Sequence, residues 1–369
     1  MRFLQVVGTK GKGSTSTYIA NILTAAGYKT GLFVSPHIQV ENERISIDGK
    51  NIPDDALARY MKKTTVSGYF RKFFQVAIMW FHEQNVDVAV METGMGGRYD
   101  PATELDVMQL VITRIGMDHM NILGDTIQKI ALEKIAAVRM KGDVISAPQV
   151  PEVSTLIKTT AYLRKASLKE ILPEDIKING DRSFSYMGIS NVMLKNPTSL
   201  QYVNASVAIA SAMGLRRRGF NITGDAIKEA LEDTFLLGRQ QYLEKENVLV
   251  DGAHNVDSLK FLHDTLKNVY GGKRKVLVCA ALKDKDVTYF NDMAKDQFEK
   301  VFVSQMEYER CFKNTELATI FDDEVETVLC SDTEDAYRKA KEYIGDQDVM
   351  VVFAGSIYQA GEALDMLTK

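Results

Sequence analysis

The chain has 369 residues, room for two domains at about 100–200 residues each, and its 45% hydrophobic and 25% charged residues suit a folded protein with a full core. Lys and Arg number 45 against 49 Asp and Glu, a net charge of -4, which argues against a general nucleic-acid or membrane-surface binder because such proteins carry a basic surplus. Three cysteines (Cys279, Cys311, Cys330) are too few for a disulfide framework, and no run approaches the ~18 apolar residues of a membrane span. The opening MRFLQVV meets a Gly- and Lys-rich stretch at once, without the apolar core of a signal peptide, so a cytoplasmic protein is expected.

In chain order, apolar runs without alternation at 4–7, 32–34, 86–91 and 110–113 predict buried strands. Between the first two, Ile19, Ile22, Leu23 and Ala26 recur at helical spacing along one face, and Gly27 stands where a helix would end. Strand, helix, strand, repeated, is the right-handed crossover unit of a mainly parallel sheet. Residues 182–199 are mixed in character. A helical stretch at 224–235 precedes a second alternation, with strands at 248–250, 275–280, 301–303 and 349–353 and helices at 259–270 and 334–344. Two α/β domains in series are expected, with the boundary near 237–240. The aromatic cluster at 69–81 places Phe73, Phe74, Ala77 and Phe81 at helical spacing, which reads as core.

The first strand runs into Gly8, Thr9, Lys10, Gly11, Lys12, Gly13, Ser14 and Thr15, and then into the helix. Glycines let such a loop curl its N–H groups inward, the helix start adds partial positive charge, and a lysine can reach the outer phosphates of a nucleotide. The strict phosphate-loop pattern is not met, since Val6 holds the place of its first glycine and Gly13 follows the lysine. Nucleoside triphosphate binding is the expectation. A dinucleotide fingerprint is excluded, because Gly11-Lys12-Gly13 continues as Ser14-Thr15-Ser16.

Further motifs follow in order: SPH at Ser35, NERI at Asn42, ETGMGGRYD at Glu92, DH at Asp118 with LGDT at Leu123, EK at Glu133, Q-x-x-NA at Gln201, GR at Gly238, DGAHN at Asp251, DKD at Asp284 and GSIY at Gly355. Together with GTKGKGS these segments span nearly the whole chain, and the sequence resembles the folylpolyglutamate synthase/dihydrofolate synthase family of the Mur ligase group. The resemblance implies a P-loop-type ATP-binding domain with a mainly parallel sheet over 1–237. A smaller Rossmann-like α/β domain, on the glutamate side, would cover 238–369. It further implies a monomer with no nucleic-acid or membrane partner. Its reaction would be an ADP-forming amide ligation: the γ-phosphoryl of ATP passes to a pterin-type acid, and L-glutamate attacks the acyl phosphate.

The resemblance also assigns roles. Lys12 is the phosphate lysine, within a nucleotide loop of Gly8, Thr9, Gly11, Gly13, Ser14 and Thr15. Ser35 and Glu92 would hold one Mg²⁺, and His119 with Glu92 a second, beside a carbamylated Lys134; a monovalent cation is a further candidate cofactor. Arg239 would aim at the γ-phosphate and Asn204 at the adenine, while Asp251 and His254 would meet the nucleotide from the C-terminal domain. Phe70, Arg71 and Asp100 are the acid-site candidates.

Departures from the family pattern concern the substrate. Lys10 stands where Asn is usual, and only seven residues precede Gly8. The T-x-F-E segment reads Gly68-Tyr69-Phe70-Arg71, and LDATN reads Tyr99-Asp100-Pro101-Ala102-Thr103. An arginine in place of the glutamate favours an anionic partner, so a divergent ligase acting on a non-folate carboxylate is the alternative reading. A non-catalytic nucleotide binder would show loss of the phosphate lysine or a metal ligand, and neither is lost.

Overall fold

Strand β1 (Arg2–Val7) sits inside an eight-stranded sheet with β2 (Thr30–Phe33), β3 (Ile45–Ile47), β4 (Lys50–Asn51), β5 (Val88–Glu92), β6 (Val107–Ile112), β7 (Asp143–Ser146) and β8 (Ser167–Glu170), in the spatial order β4-β3-β2-β5-β1-β6-β7-β8. The computed structural model describes residues 1–368 and divides into two units, Met1–Phe235 and Leu236–Lys369. The first sheet is parallel except for the edge pairs β2–β3 and β3–β4. β1 pairs with β5 on one side (Val6 opposite Glu92) and β6 on the other (Val7 opposite Ile112), so the carboxyl ends of three neighbouring strands emerge together. In a doubly wound sheet that edge is where ligands bind.

The helix Lys12–Ala25 follows β1 and buries Tyr18, Ile19, Ile22 and Leu23. The helix Tyr69–Glu83 buries Phe73, Phe74, Ala77 and Phe81 against Phe33, Ile45 and Met91, so the aromatic cluster is core, as its spacing implied. Each such phenylalanine contributes about 1.5–3 kcal/mol by leaving water.

The expected strands are present with ends moved by a few residues. The mixed region holds a three-stranded antiparallel sheet of β9 (Lys177–Ile178), β10 (Phe184–Tyr186) and β11 (Ile189–Val192). It is followed by a long helix, Ser199–Arg217, that buries residues on every side.

The second unit is built on β12 (Gln241–Leu243), β13 (Val248–Val250), β14 (Arg274–Cys279), β15 (Val301–Val303), β16 (Thr327–Leu329) and β17 (Val349–Ala354), in the order β12-β13-β17-β14-β15-β16. All pairs are parallel except the β12–β13 hairpin. Its core packs Leu259, Leu262 and Leu266 of the helix Val256–Asn268 against Leu277, Val301 and Val352. The three cysteines are free and buried, and no described helix is long and apolar enough to cross a membrane.

Candidate active site

The loop leaving β1 is braced from β6's side. Thr9 and Lys10 both donate their N–H to the Arg114 carbonyl (2.9 and 3.0 Å), and Thr9 Oγ1 donates to the Gly116 carbonyl at 3.1 Å. Gly11 is the N-cap with φ 85, a left-handed conformation open to glycine, and the helical ladder begins with Thr15 N–H on the Gly11 carbonyl at 2.9 Å. The amides of Lys12, Gly13 and Ser14 precede that ladder and have no acceptor within the helix, the arrangement that receives anions. The Thr15 hydroxyl is buried there without a hydrogen-bond partner.

Asn204 presses its amide against Gly11 and donates to Gln201 Oε1 at 3.1 Å, while Gln201 Nε2 reaches Ser14 Oγ at 3.5 Å. Asn204 thus lies against the loop Gly8–Thr15. Gln201, quoted in the Q-x-x-NA motif but given no role there, shares its face at a spacing of three, the helical interval that marks it as a partner.

Glu92 is 2% exposed at the end of β5. Its Oε2 accepts the Ser35 N–H at 2.9 Å, and its Oε1 stands 3.9 Å from Lys12 Nζ. Ser35, Glu92 and Lys12 are therefore assembled around one point. His119 caps a short helix at φ 51, and its Nε2 is 3.9 Å from Asp118 Oδ1. Among the described residues no cluster of three or more His, Cys, Asp or Glu could hold a metal ion, so Glu92 and His119 do not form a ready-made cage. That fits Mg²⁺, which takes one or two protein ligands and leaves the rest to phosphate and water.

Lys134 is buried, and its Nζ donates to the Gly8 carbonyl at 2.8 Å. Burial above all, with Lys12 and Lys10 nearby, pushes its amine down to about 7. A Cβ on Gly97 would stand 2.7 Å from the Lys134 carbonyl oxygen, so only glycine lets the two backbones approach there.

Asp100 is buried and accepts N–H bonds from Gly94 and Ala102, each at 2.9 Å, which fixes the curl of the ETGMGGRYD loop. Burial pushes its carboxyl up to about 6, against the pull of those N–H groups. The Phe70 ring is wedged between Phe33 (5.5 Å between centroids) and Phe74 (6.5 Å) and covers Gly94. Arg71, in the first turn of the helix Tyr69–Glu83, is exposed.

In the second unit three separate segments meet. Asp251 accepts the Gln240 N–H on Oδ2 (2.8 Å) and the Ala253 N–H on Oδ1 (2.6 Å), and Gly252 N–H donates to the Gly238 carbonyl at 3.0 Å. Gly355 N–H donates to the Ala253 carbonyl at 2.7 Å. His254 holds its Nδ1 2.7 Å from the Gly252 carbonyl, which accepts the Nδ1 proton. The Arg239 guanidinium lies beside Gly252, 3.2 Å from where a Cβ would be. GR, DGAHN and GSIY are thus one loop cluster.

Two family models match: the Mur ligase middle domain over residues 6–144 and the Mur ligase, glutamate ligase domain over 238–357. The Bacillus subtilis dihydrofolate synthase/folylpolyglutamate synthase is 33% identical over 309 residues, 77% of this chain and 72% of that protein. Its Escherichia coli counterpart is 30% identical over 76% of this chain and 68% of its own length. The chain belongs to the folylpolyglutamate synthase/dihydrofolate synthase family. Among solved structures, Mycobacterium tuberculosis folylpolyglutamate synthase complexed with ADP and AMPPCP superposes with a TM-score of 0.88 at 26% identity, covering 100% of this chain and 91% of that one. Escherichia coli FolC in complex with DHPP and ADP gives 0.88 at 25%, covering 100% and 88%.

This folylpolyglutamate synthase/dihydrofolate synthase family member is an ATP-dependent amide ligase with the Mur ligase fold. Within its first unit the structure brings Lys12, Ser35, Glu92 and Asn204 to the loop Gly8–Thr15, with Lys134 beneath it.

Proposed function

We propose that this chain joins L-glutamate to a folate-type carboxylate, dihydropteroate or tetrahydrofolate, with ATP cleaved to ADP and phosphate. The observation that carries the reading is the assembly of Lys12, Glu92 and Ser35 at the mouth of a phosphate-binding helix start, within 3.9 Å contacts. The solved relatives bearing ADP, AMPPCP and DHPP support the same reading.

The loop amides and Lys12 grip the β- and γ-phosphates and neutralise charge as the γ-phosphoryl moves to the acid. Ser35, Glu92 and His119 would hold Mg²⁺, which supplies positive charge against the phosphate oxygens and the leaving group. A monovalent cation is a further candidate cofactor of the site. The Lys134 amine, pushed down to about 7, is substantially neutral near physiological pH, the form that adds CO₂. Carbamylation there would turn a buried base into a carboxylate-like group beside Gly8. The acyl phosphate is then open to the glutamate amine, with the acid held near Phe70, Arg71 and Asp100. Arg239, Asp251 and His254 are assigned to the nucleotide on the family resemblance.

Incubation with ATP, Mg²⁺, glutamate and either acid, followed by mass spectrometry, tests this. The expected product is heavier than the acid by one glutamyl residue. Unchanged acids, alongside a mass gain on a different carboxylate, would move the assignment to that acid and to Arg71.

A further inference from the structure

The phosphate loop carries two lysines, and the reaction above uses one. β1 is flanked by β5 and β6, and the loop sends one ammonium over each neighbour. Lys12 Nζ stands 3.9 Å from Glu92 Oε1 at the end of β5, and Lys10 Nζ stands 3.7 Å from Asp118 Oδ2 in the segment after β6. Both pairs are shielded, with side-chain exposures of 17% and 3% for Lys12 and Glu92, and 10% and 14% for Lys10 and Asp118. The Lys10 backbone is pinned by its N–H on the Arg114 carbonyl, so the base of the side chain is fixed and its four-carbon stem can swing. The two lysines form a pair of arms around the start of the helix Lys12–Ala25. Asparagine, usual at this place in the family pattern, has no charge to offer there.

We infer that Lys10 is a second phosphate lysine, parked on Asp118 until a nucleoside triphosphate arrives and then transferred to its β- and γ-phosphate oxygens. The inference rests on the reading that Gly8–Thr15 holds the nucleotide. A polyphosphate is a stronger anion than one carboxylate, and an ammonium at a shielded loop gains from exchanging one for the other. Asp118 is then a positioning residue, and removing its charge releases Lys10 toward the phosphate side.

Calorimetric titration of the full chain with ATP and AMP, with Mg²⁺ and again in excess EDTA, tests this on K10M, K10R, D118N and, as a control, K12M. K10M should weaken ATP about tenfold or more and AMP less than about twofold, while K10R stays within about threefold of the unaltered chain. D118N should bind ATP at least as tightly as the unaltered chain. K10M binding ATP within about twofold of the unaltered chain would overturn the proposal. So would K10M and D118N weakening ATP and AMP alike, since Lys10 would then only brace the loop. Failure of the unaltered chain to bind ATP would instead remove the nucleotide reading, and the proposal with it. Thermal unfolding of each variant separates lost binding from lost folding.

Discussion

Replacing Gly11 with alanine should disable the phosphate loop for two separable reasons. Gly11 has φ 85, where an L-residue pays about 1–2 kcal/mol of backbone strain. The new methyl would also clash with the Asn204 amide oxygen and lie 2.9 Å from its Cγ. Asn204 is buried in the helix Ser199–Arg217 and hydrogen-bonded to Gln201, so it has little room to yield, and overpacking of this kind costs about 1–3 kcal/mol. The sum is about 2–5 kcal/mol. Trp80 is the one tryptophan of the chain and lies buried in the first unit, so its fluorescence in urea reports that unit alone. Gly11→Ala should lose the stated stability and bind ATP at least about tenfold more weakly. Adding Asn204→Ala should restore the overpacking part and leave the backbone part. A Gly11→Ala protein within about 0.5 kcal/mol of the unaltered chain, with ATP affinity unchanged, would refute the reasoning.

Three other outcomes follow from the site. Asp100, pushed up to about 6 by burial against an unfolded value near 3.9, binds its proton more tightly in the folded chain. Folding stability measured against Asp100→Asn should therefore fall by about 2 kcal/mol as pH rises from 4 to 7, and a flat difference in urea unfolding would contradict this. Glu92→Gln keeps an oxygen for the Ser35 N–H but loses the charge facing Lys12, so turnover should drop about 100-fold or more while ATP binding in EDTA survives calorimetry. Asp251→Ala removes the acceptor of two N–H bonds at 2.6 and 2.8 Å and should cost about 3 kcal/mol or more in the second unit, with Asp251→Asn costing less by circular dichroism melts.

Where the sequence carried a strong local signal, it was readable. An unbroken apolar run followed by GTKGKGS and a helical stripe specifies a strand, a glycine-rich turn and a helix, and the fold has all three. The parallel strands β1, β2, β5, β6, β13, β14, β15 and β17 were legible because strands buried on both faces are uniformly apolar. The parallel strands β7, β8 and β16 were not read, and β8 and β16 carry partly exposed residues instead of an unbroken apolar run.

The helix Ser199–Arg217 was not, because it is buried on all sides and its run of Ala, Ser, Val and Ile has no polar face to set a 3.6-residue stripe. Short antiparallel strands such as β4 and β9, two residues each, are shorter than any reliable period. At the site, Glu92 and Lys12 could be matched to their motifs, whereas the Lys10–Asp118 contact joins residues more than 100 positions apart and depends on β1 lying beside β6. The wedging of Phe70 between Phe33 and Phe74 is likewise a tertiary fact.

Phosphate release from ATP and Mg²⁺ tests the central claim most directly, with glutamate alone, glutamate plus dihydropteroate, and glutamate plus tetrahydrofolate. The account predicts release that needs both glutamate and one of the two acids, and that is lost in Glu92→Ala. Release indifferent to the acid, or no release with either acid from a protein that binds ATP, would contradict it.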